Sequence, residues 1–202
     1  MKVALVGATG MIGSRLLAEL NRRGHQVTAI VRNPEKVPAL AGVAARKGDV
    51  ADEKELIDLL KGHDAAITAV RFSQSDPKKL IAAVKASGVP RYLVVGGAGS
   101  LEVAPSRKLI DTPEFPAMYK AEAQAGGDFL DLLRQEKALV WTFLSPSAVI
   151  APGERTGKFR LGDDQLLTHD KGSNISAEDY AIALVDELEK PAHSRRRFTV
   201  GY

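Results

Sequence analysis

Residues 3–16 read VALVGATGMIGSRL: an apolar run enters a glycine-rich turn, and the turn opens directly into a helical pattern. Glycines at 7, 10 and 13 follow G-x-x-G-x-x-G rather than G-x-G-x-x-G. Alone, such a triplet marks only a tight corner. Here it lies between the first strand pattern of the chain and an immediate helix, with a second strand pattern ending at Val31. In that setting the three positions suit a pyrophosphate. Gly7 lets the strand turn sharply, Gly10 lets backbone approach the phosphates, and Gly13 lets helix pack close to strand. The free N–H groups at the helix start then face the anion, assisted by the helix dipole.

The end of the second strand discriminates between dinucleotides. A site selective for NAD places Asp or Glu about twenty residues after the glycines, on the ribose 2′-hydroxyl. This chain has Val31-Arg32-Asn33 and no acid. A guanidinium at Arg32 suits a bidentate grip on a 2′-phosphate and stacking on adenine, which favours NADP over NAD. Asn33 stands beside it, and Lys36 adds charge one turn further on. Asp49-Val50 is placed to meet the adenine edge, and Ala69-Val70 to wall the adenosine ribose.

Other chemistry-bearing groups point elsewhere. There is no cysteine, which excludes disulfides, thiolate nucleophiles, iron–sulfur clusters and cysteine-based zinc sites. His169 with Asp163, Asp164 and Asp170 lacks a recognised metal-ligand spacing and reads as a solvated loop, so no metal is expected. No serine stands in a G-x-S-x-G elbow, so hydrolase chemistry has no support. Arg195-Arg196-Arg197 reads as a solvated turn before a last strand, and Trp141 as core. A net charge of +3 from 28 basic and 25 acidic residues suits an anionic ligand without marking a nucleic-acid binder.

These residues need a scaffold, and the chain supplies one in alternation. Apolar runs at 3–7, 27–31, 43–49, 65–70, 91–96, 139–144 and 197–201 are strand-sized, several of them continuous in Val, Ile and Leu. That pattern belongs to strands covered on both faces. Between them lie helix signals. Met11, Ile12, Leu16, Leu17 and Leu20 share one face and stop at Gly24; Asn33-Pro34 and Asp76-Pro77 read as cap and first helical residue, the latter helix ending near Gly88. Asp52 with Glu55, and Ser176 with Asp179, resemble capping boxes. A long helix is expected over 117–136, weakened at Gly126-Gly127. Alternation of this kind predicts right-handed βαβ units in an α/β doubly wound parallel sheet, a three-layer α/β/α sandwich of one domain over residues 1–202. Segments 97–116 and 145–175 are long, rich in Pro, Gly and charge, and follow predicted strands; they are expected to be loops at the carboxyl edge, where such sheets bind ligands. No stretch is long and apolar enough to span a bilayer, and the short first apolar run does not resemble a signal peptide, so a cytoplasmic location is expected.

In order, GATGMIG, IVRNPEK, GDVAD, VVGGAGSLEV and FLSPSAVIAPGERTGKFRLG resemble the atypical short-chain dehydrogenase/reductases. The resemblance is nearest to the NAD(P)H-binding proteins described as NADH-flavin reductases, relatives of biliverdin-IXβ reductase, and covers essentially the whole chain. It implies a Rossmann fold with NADP across the sheet edge. It implies that Gly7, Ala8, Thr9, Gly10, Met11, Ile12 and Gly13 hold the pyrophosphate and Arg32 the 2′-phosphate. It also implies that Gly96, Gly97 and Ala98 line the nicotinamide, with Ser145 and Pro146 by the carboxamide and the backbone of 147–149 nearby.

The larger superfamily pairs a tyrosine with a lysine four residues later, on one helical face, to pass a proton to a carbonyl. Here Tyr92 is followed at that spacing by Gly96, Tyr119 by Ala123 and Tyr180 by Leu184, and Tyr202 is the last residue. Tyr119 and Lys120 are adjacent, so their side chains diverge by about 100° on a helix. Ser100, Tyr119 and Lys120 remain as candidate catalytic groups. Reducing a ketone needs an acid for the forming alkoxide; reducing a flavin or quinone spreads charge over a conjugated ring, and water supplies the proton. The expectation is therefore an NADP-dependent reductase acting on a small planar acceptor of flavin or quinone type, a monomer or homodimer with no nucleic-acid or membrane partner. The alternative, equally compatible with the lost pair, is an NADP(H)-binding sensor without turnover.

Overall fold

Two periodicities alternate along the chain, and the backbone follows them. The structure, a computed structural model, describes residues 1–202. In chain order it contains β1 (Lys2–Val6), α1 (Met11–Arg22), β2 (Gln26–Val31), β3 (Val43–Lys47), α2 (Glu53–Leu60), β4 (Ala65–Thr68), α3 (Pro77–Ser87), β5 (Arg91–Val95), β6 (Glu102–Ala104), β7 (Arg107–Lys108), α4 (Lys120–Gln135), β8 (Val140–Pro146), β9 (Val149–Ala151), β10 (Arg160–Gly162), β11 (Asn174–Ser176), α5 (Ala177–Glu189) and β12 (Arg196–Gly201). Eight strands form the central sheet in the order β10-β12-β8-β5-β4-β1-β2-β3, parallel throughout except for β10. Strand order reverses at β1, with β2 and β3 on one side and β4, β5 and β8 on the other. That reversal opens a crevice at the carboxyl ends of β1 and β4.

Successive residues of β1 serve opposite layers, as the two-residue strand period requires. Val3 and Leu5 join Leu16, Leu17 and Leu20 of α1 and Tyr180, Leu184 and Leu188 of α5 in one core. Ala4 and Val6 join Leu56 of α2, Leu80 of α3 and Phe129, Leu130 and Leu133 of α4, with Trp141, in the other. Three of the signalled caps close their helices, each by its forward bond alone. The Asp52 carboxylate accepts from Glu55 N at 2.9 Å, Asp76 accepts from the N–H groups of Lys78 and Lys79, and Ser176 Oγ accepts from Asp179 N at 3.0 Å. Gly88 ends α3 in the left-handed conformation. No helix is long and apolar enough to cross a membrane.

Four expectations change. Asn33-Pro34 opens only a single 3₁₀ turn, Pro34–Lys36, and Asn33 does not cap it; Pro38 forces Val37 into extended backbone and ends the helix before it starts. The segments 97–116 and 145–175 are not plain loops. Strands β6 and β7 form a hairpin, β9 pairs with β11, and β10 joins the central sheet antiparallel to β12. These strands are too short to show a pattern, and the partners of β9 and β10 lie far along the chain. The tri-arginine run is only partly a solvated turn: Arg195 sits at φ 56°, but Arg197 is buried on β12. Finally, Gly126 lets α4 pack tightly on Phe72: a Cβ there would sit 3.0 Å from the ring, which would have to shift to admit it.

Candidate functional site

The glycine corner is built by two collisions that glycine avoids. Gly7 ends β1 at φ 87°, and a Cβ on it would meet the Ala69 carbonyl oxygen at 2.4 Å. A Cβ on Gly13 would lie 2.0 Å from the Gly7 carbonyl oxygen. Strand β1, strand β4 and the first turn of α1 therefore approach one another as only glycine permits. Gly10 is different. Its φ of −72° suits any residue, and the nearest protein atom to a Cβ there is 3.5 Å away. Gly10 precedes α1 without a side-chain cap, and the N–H groups of Met11, Ile12 and Gly13 have no backbone acceptor. Ala8 is buried under this turn, whereas Thr9, Gly10 and Met11 are exposed. The turn thus carries a set of uncommitted donors at the positive end of a helix, with space above them, which fits a diphosphate.

Beyond the corner, Arg32, Asn33 and Lys36 follow β2, all exposed and without an ion pair or side-chain hydrogen bond. Asp49 Oδ1 accepts from Ala51 N at 2.9 Å, so one of its oxygens shapes the turn after β3. Val50 packs partly into the α2–α3–α4 core. Ala69 N donates to Val6 O, which carries the β1–β4 ladder to the rim, and Val70 lies against the Gly7 position.

On the β5 side, a Cβ on Gly96 would meet the Phe143 ring at 2.3 Å, and a Cβ on Gly99 would meet that of Ala123 at 2.7 Å. Gly97 between them meets nothing within 4 Å. Gly97 and Ala98 are half-buried and open the rim above β5. The tyrosines divide sharply. Tyr92 shares a 3.0 Å hydrogen bond with Thr68, and Tyr180 donates to Leu144 O at 2.6 Å while accepting from Gly96 N. Burial pushes both phenols far above their ordinary range. Tyr202 donates to Asp179. Tyr119 alone has a hydroxyl without a protein partner, and it is 57% exposed next to Met118 at 80%. It ends the 3₁₀ turn Ala117–Tyr119 that leads into α4, whose Glu122, Ala123 and Gly126 face the loops after β4 and β5. Lys120 is exposed beside it and unpaired. Ser100, in contrast, is turned into the fold: its Oγ accepts from Arg197 at 3.0 Å, and Arg197 also pairs with Asp164.

Ser145 and Pro146 are buried at the end of β8. Ser145 Oγ has no partner, and its carbonyl accepts from Thr199 Oγ1 at 2.9 Å. Exposure begins after this strand, at Ala148 and at Val149 of β9. The structure therefore brings the glycine corner, Ala69-Val70, Gly97-Ala98 and Tyr119 to one edge, and holds Ser100 and Ser145 beneath it.

Three side-chain clasps escape a linear reading. The Glu122 carboxylate accepts from Phe72 N at 2.8 Å, Ser73 N at 3.0 Å and Ser73 Oγ at 2.5 Å, fastening the β4–α3 loop to the first turn of α4. Phe72 anchors the same loop against Phe129 and Phe143, at ring centroid separations of 5.4 and 6.0 Å. Asp179 accepts from Thr156 N, Gly157 N and Thr156 Oγ1, and Glu178 from Gly153 N, holding the segment after β9 onto α5. Arg155 of that segment forms two 2.8 Å bonds to the buried Glu19 of α1, which also pairs with Arg23. Arg155, against the opposing effect of burial, holds the Glu19 carboxyl down to about 2. The capping pattern of Ser176 with Asp179 marked Asp179 for a local role only, and no local pattern marks Glu122 or Glu19. No group of His, Cys, Asp or Glu could hold a metal ion.

Comparison with known proteins shows the family to which the chain belongs. A family described as NAD(P)H-binding matches residues 7–191. An uncharacterised protein of Bacillus subtilis (strain 168), YwnB, is 43% identical over 99% of this chain and 98% of its own length. A crystal structure of a candidate epimerase from Bacteroides thetaiotaomicron superposes with a TM-score of 0.95 at 44% identity, covering 100% of this chain and 96% of that one. A crystal structure of a candidate NADH-flavin reductase from Streptococcus pneumoniae TIGR4 superposes with a TM-score of 0.82 at 39% identity, over 100% and 99%.

Proposed function

Because the chain belongs to the NAD(P)H-binding family, whose reductase-like members include relatives of this chain, we propose an NADP(H)-dependent reductase acting on a small planar acceptor of flavin or quinone type. The observation that carries the cofactor placement is the contrast between two kinds of glycine. Gly7, Gly13, Gly96 and Gly99 are explained by the protein's own packing. Gly10 and Gly97 are not: a Cβ on either meets no protein atom closer than 3.5 Å. Both open onto the same edge, on either side of the switch point, where a ligand passing close to backbone explains them. In this reading the donors of Met11, Ile12 and Gly13 hold the diphosphate, and Arg32 with Asn33 and Lys36 meets the 2′-phosphate. Asp49, Val50, Ala69 and Val70 border the adenosine, and Gly97-Ala98 makes room for the nicotinamide.

When bound, the reduced nicotinamide supplies the hydride. The chain's own contribution is position and shelter. Tyr119 and Met118 offer an exposed, partly aromatic wall on which a planar ring can lie. The Glu122 clasp holds that wall against the β4 loop. No tyrosine–lysine pair stands at the edge, and the buried phenols of Tyr92 and Tyr180 are committed elsewhere, which favours acceptors that delocalise charge over those that need a protein acid. The similarity to a candidate NADH-flavin reductase supports the same acceptor class.

Purified protein with NADPH should reduce FMN, riboflavin or a naphthoquinone, followed by loss of the nicotinamide absorbance. Efficient reduction of simple aldehydes or ketones with flavins and quinones untouched would overturn the acceptor class. Bound NADPH that survives single-turnover mixing with every acceptor would instead establish the sensor reading.

A further inference from the structure

Resting on the NADP reading above, we propose that Lys47, at the end of β3, is a third cation of the 2′-phosphate site, and that its neighbour Arg46 is not. The register of the β2–β3 ladder places Lys47 directly beside Val31, the last residue of β2 and the one before Arg32. Gly48 N then donates to Val31 O at 3.1 Å, so the two strands reach the rim together. Side-chain alternation decides the face. Val27 pairs with Val43, Ala29 with Ala45 and Val31 with Lys47. Val27, Ala29 and Val31 lie in the core under α1 and α5, and Val43 packs against it. Lys47 therefore ends a row on that face and emerges exposed at its top.

The 3₁₀ turn that carries Lys36 lies over the same face, since Val37 packs against the same core. Arg32, Lys36 and Lys47 thus surround the carboxyl end of β2 from three chain segments, each without an ion pair. Two acids share the neighbourhood. Glu35 is exposed on the turn, and Asp49 has one oxygen committed to Ala51 N. Arg46 sits opposite Ile30, which belongs to the other core, and its guanidinium donates to the Ala45 carbonyl at 3.2 Å. Two adjacent residues of equal charge thus differ only in the face of the sheet they occupy. A phosphate dianion has oxygens to spare after a bidentate arginine, and a lysine supplies a compact charge on a flexible stem to one of them.

Calorimetric titration of the wild-type protein and of Lys47→Gln, Arg46→Gln and Arg32→Ala with NADP⁺ and NAD⁺ tests this. Lys47→Gln should weaken NADP⁺ by about three- to fivefold, as expected for one exposed charge contact, and leave NAD⁺ unchanged. Arg46→Gln should leave both within about twofold. Lys47→Arg should retain the preference. Equal losses from Lys47→Gln and Arg46→Gln would reduce the effect to diffuse charge and overturn the assignment. An unaffected Lys47→Gln beside an Arg32→Ala that loses NADP⁺ would overturn Lys47 alone and leave the NADP reading intact. Wild-type protein that binds NAD⁺ as tightly as NADP⁺ would overturn both.

Discussion

The two halves of the carboxyl edge are made in different ways. The half over β1, β2 and β3 is a product of backbone: glycines that avoid collision, uncapped N–H groups, and free cations at strand ends. The half over β4, β5 and β8 is held by side chains that reach across the fold, with Glu122 gripping the β4 loop, Arg197 gripping Ser100, and Asp179 and Glu19 gripping the segment after β9. The first half is set by close backbone contacts, of α1 with the end of β1 and of that end with the residue after β4. The second is ordered only when distant elements have docked.

The sharpest way to break this comparison is to add the same methyl group at two glycines. In Gly13→Ala the new Cβ meets the Gly7 carbonyl at 2.0 Å, so stability should fall by about 3 kcal/mol or more. In Gly10→Ala the backbone already suits alanine, so thermal stability should hold or rise by about 0.5 kcal/mol, while NADP⁺ affinity falls by more than about tenfold through steric exclusion. Melting curves with and without cofactor read both. Normal cofactor binding by Gly10→Ala would remove the case for a ligand over that turn.

A smaller effect probes the clasp at Glu19. Its carboxyl sits at about 2 in the folded protein against an ordinary 4.5. A group whose folded value is depressed contributes stability that is complete above pH 4.5 and lost as pH falls towards 2. That contribution is about 2 kcal/mol once screening of the part-exposed Arg155 is allowed for. Urea unfolding across this window should show the loss in the wild type and a flatter profile in Glu19→Gln. A wild-type profile no steeper than the variant's would refute the ion-pair account.

The smallest expected effect sharpens the division of labour. Glu122→Gln keeps one accepting oxygen but turns the other into a donor that opposes Ser73 N, so it breaks the exposed half of the clasp and removes its charge; with water free to satisfy Ser73, this should cost about 1 kcal/mol. If the clasp builds the acceptor wall, acceptor KM rises several-fold while NADP⁺ affinity is unchanged. An equal loss of cofactor affinity would show that the two halves are not separable.

Much of this architecture is legible in one dimension because it is local. The seven long strand runs, the caps at Asp52, Asp76 and Ser176, and the glycine corner each depend on residues within a few positions of one another. What is missed depends on partners far along the chain. Arg197 reads as part of a charged turn because Asp164 lies 33 residues away. Gly126 reads as a weak point because Phe72 is out of view, and nothing near Glu122 in sequence points to its partners at Phe72 and Ser73. Strands β9 and β10 find their partners at β11 and β12, across the very segments whose composition suggests loops.

By itself the sequence determined a doubly wound α/β sheet, the position of a glycine-rich strand-to-helix turn at its edge, and the absence of a tyrosine–lysine pair. Each follows from periodicity or fixed spacing, which short stretches carry in full. Only the tertiary structure decided which glycines are packing and which are openings, that Ser100 and Ser145 are drawn beneath the edge while Tyr119 stays on it, and that Lys47 and Arg46 face opposite ways. Those outcomes depend on which surfaces meet when the layers close, and the free energy of that closure resides in contacts no short stretch of sequence contains.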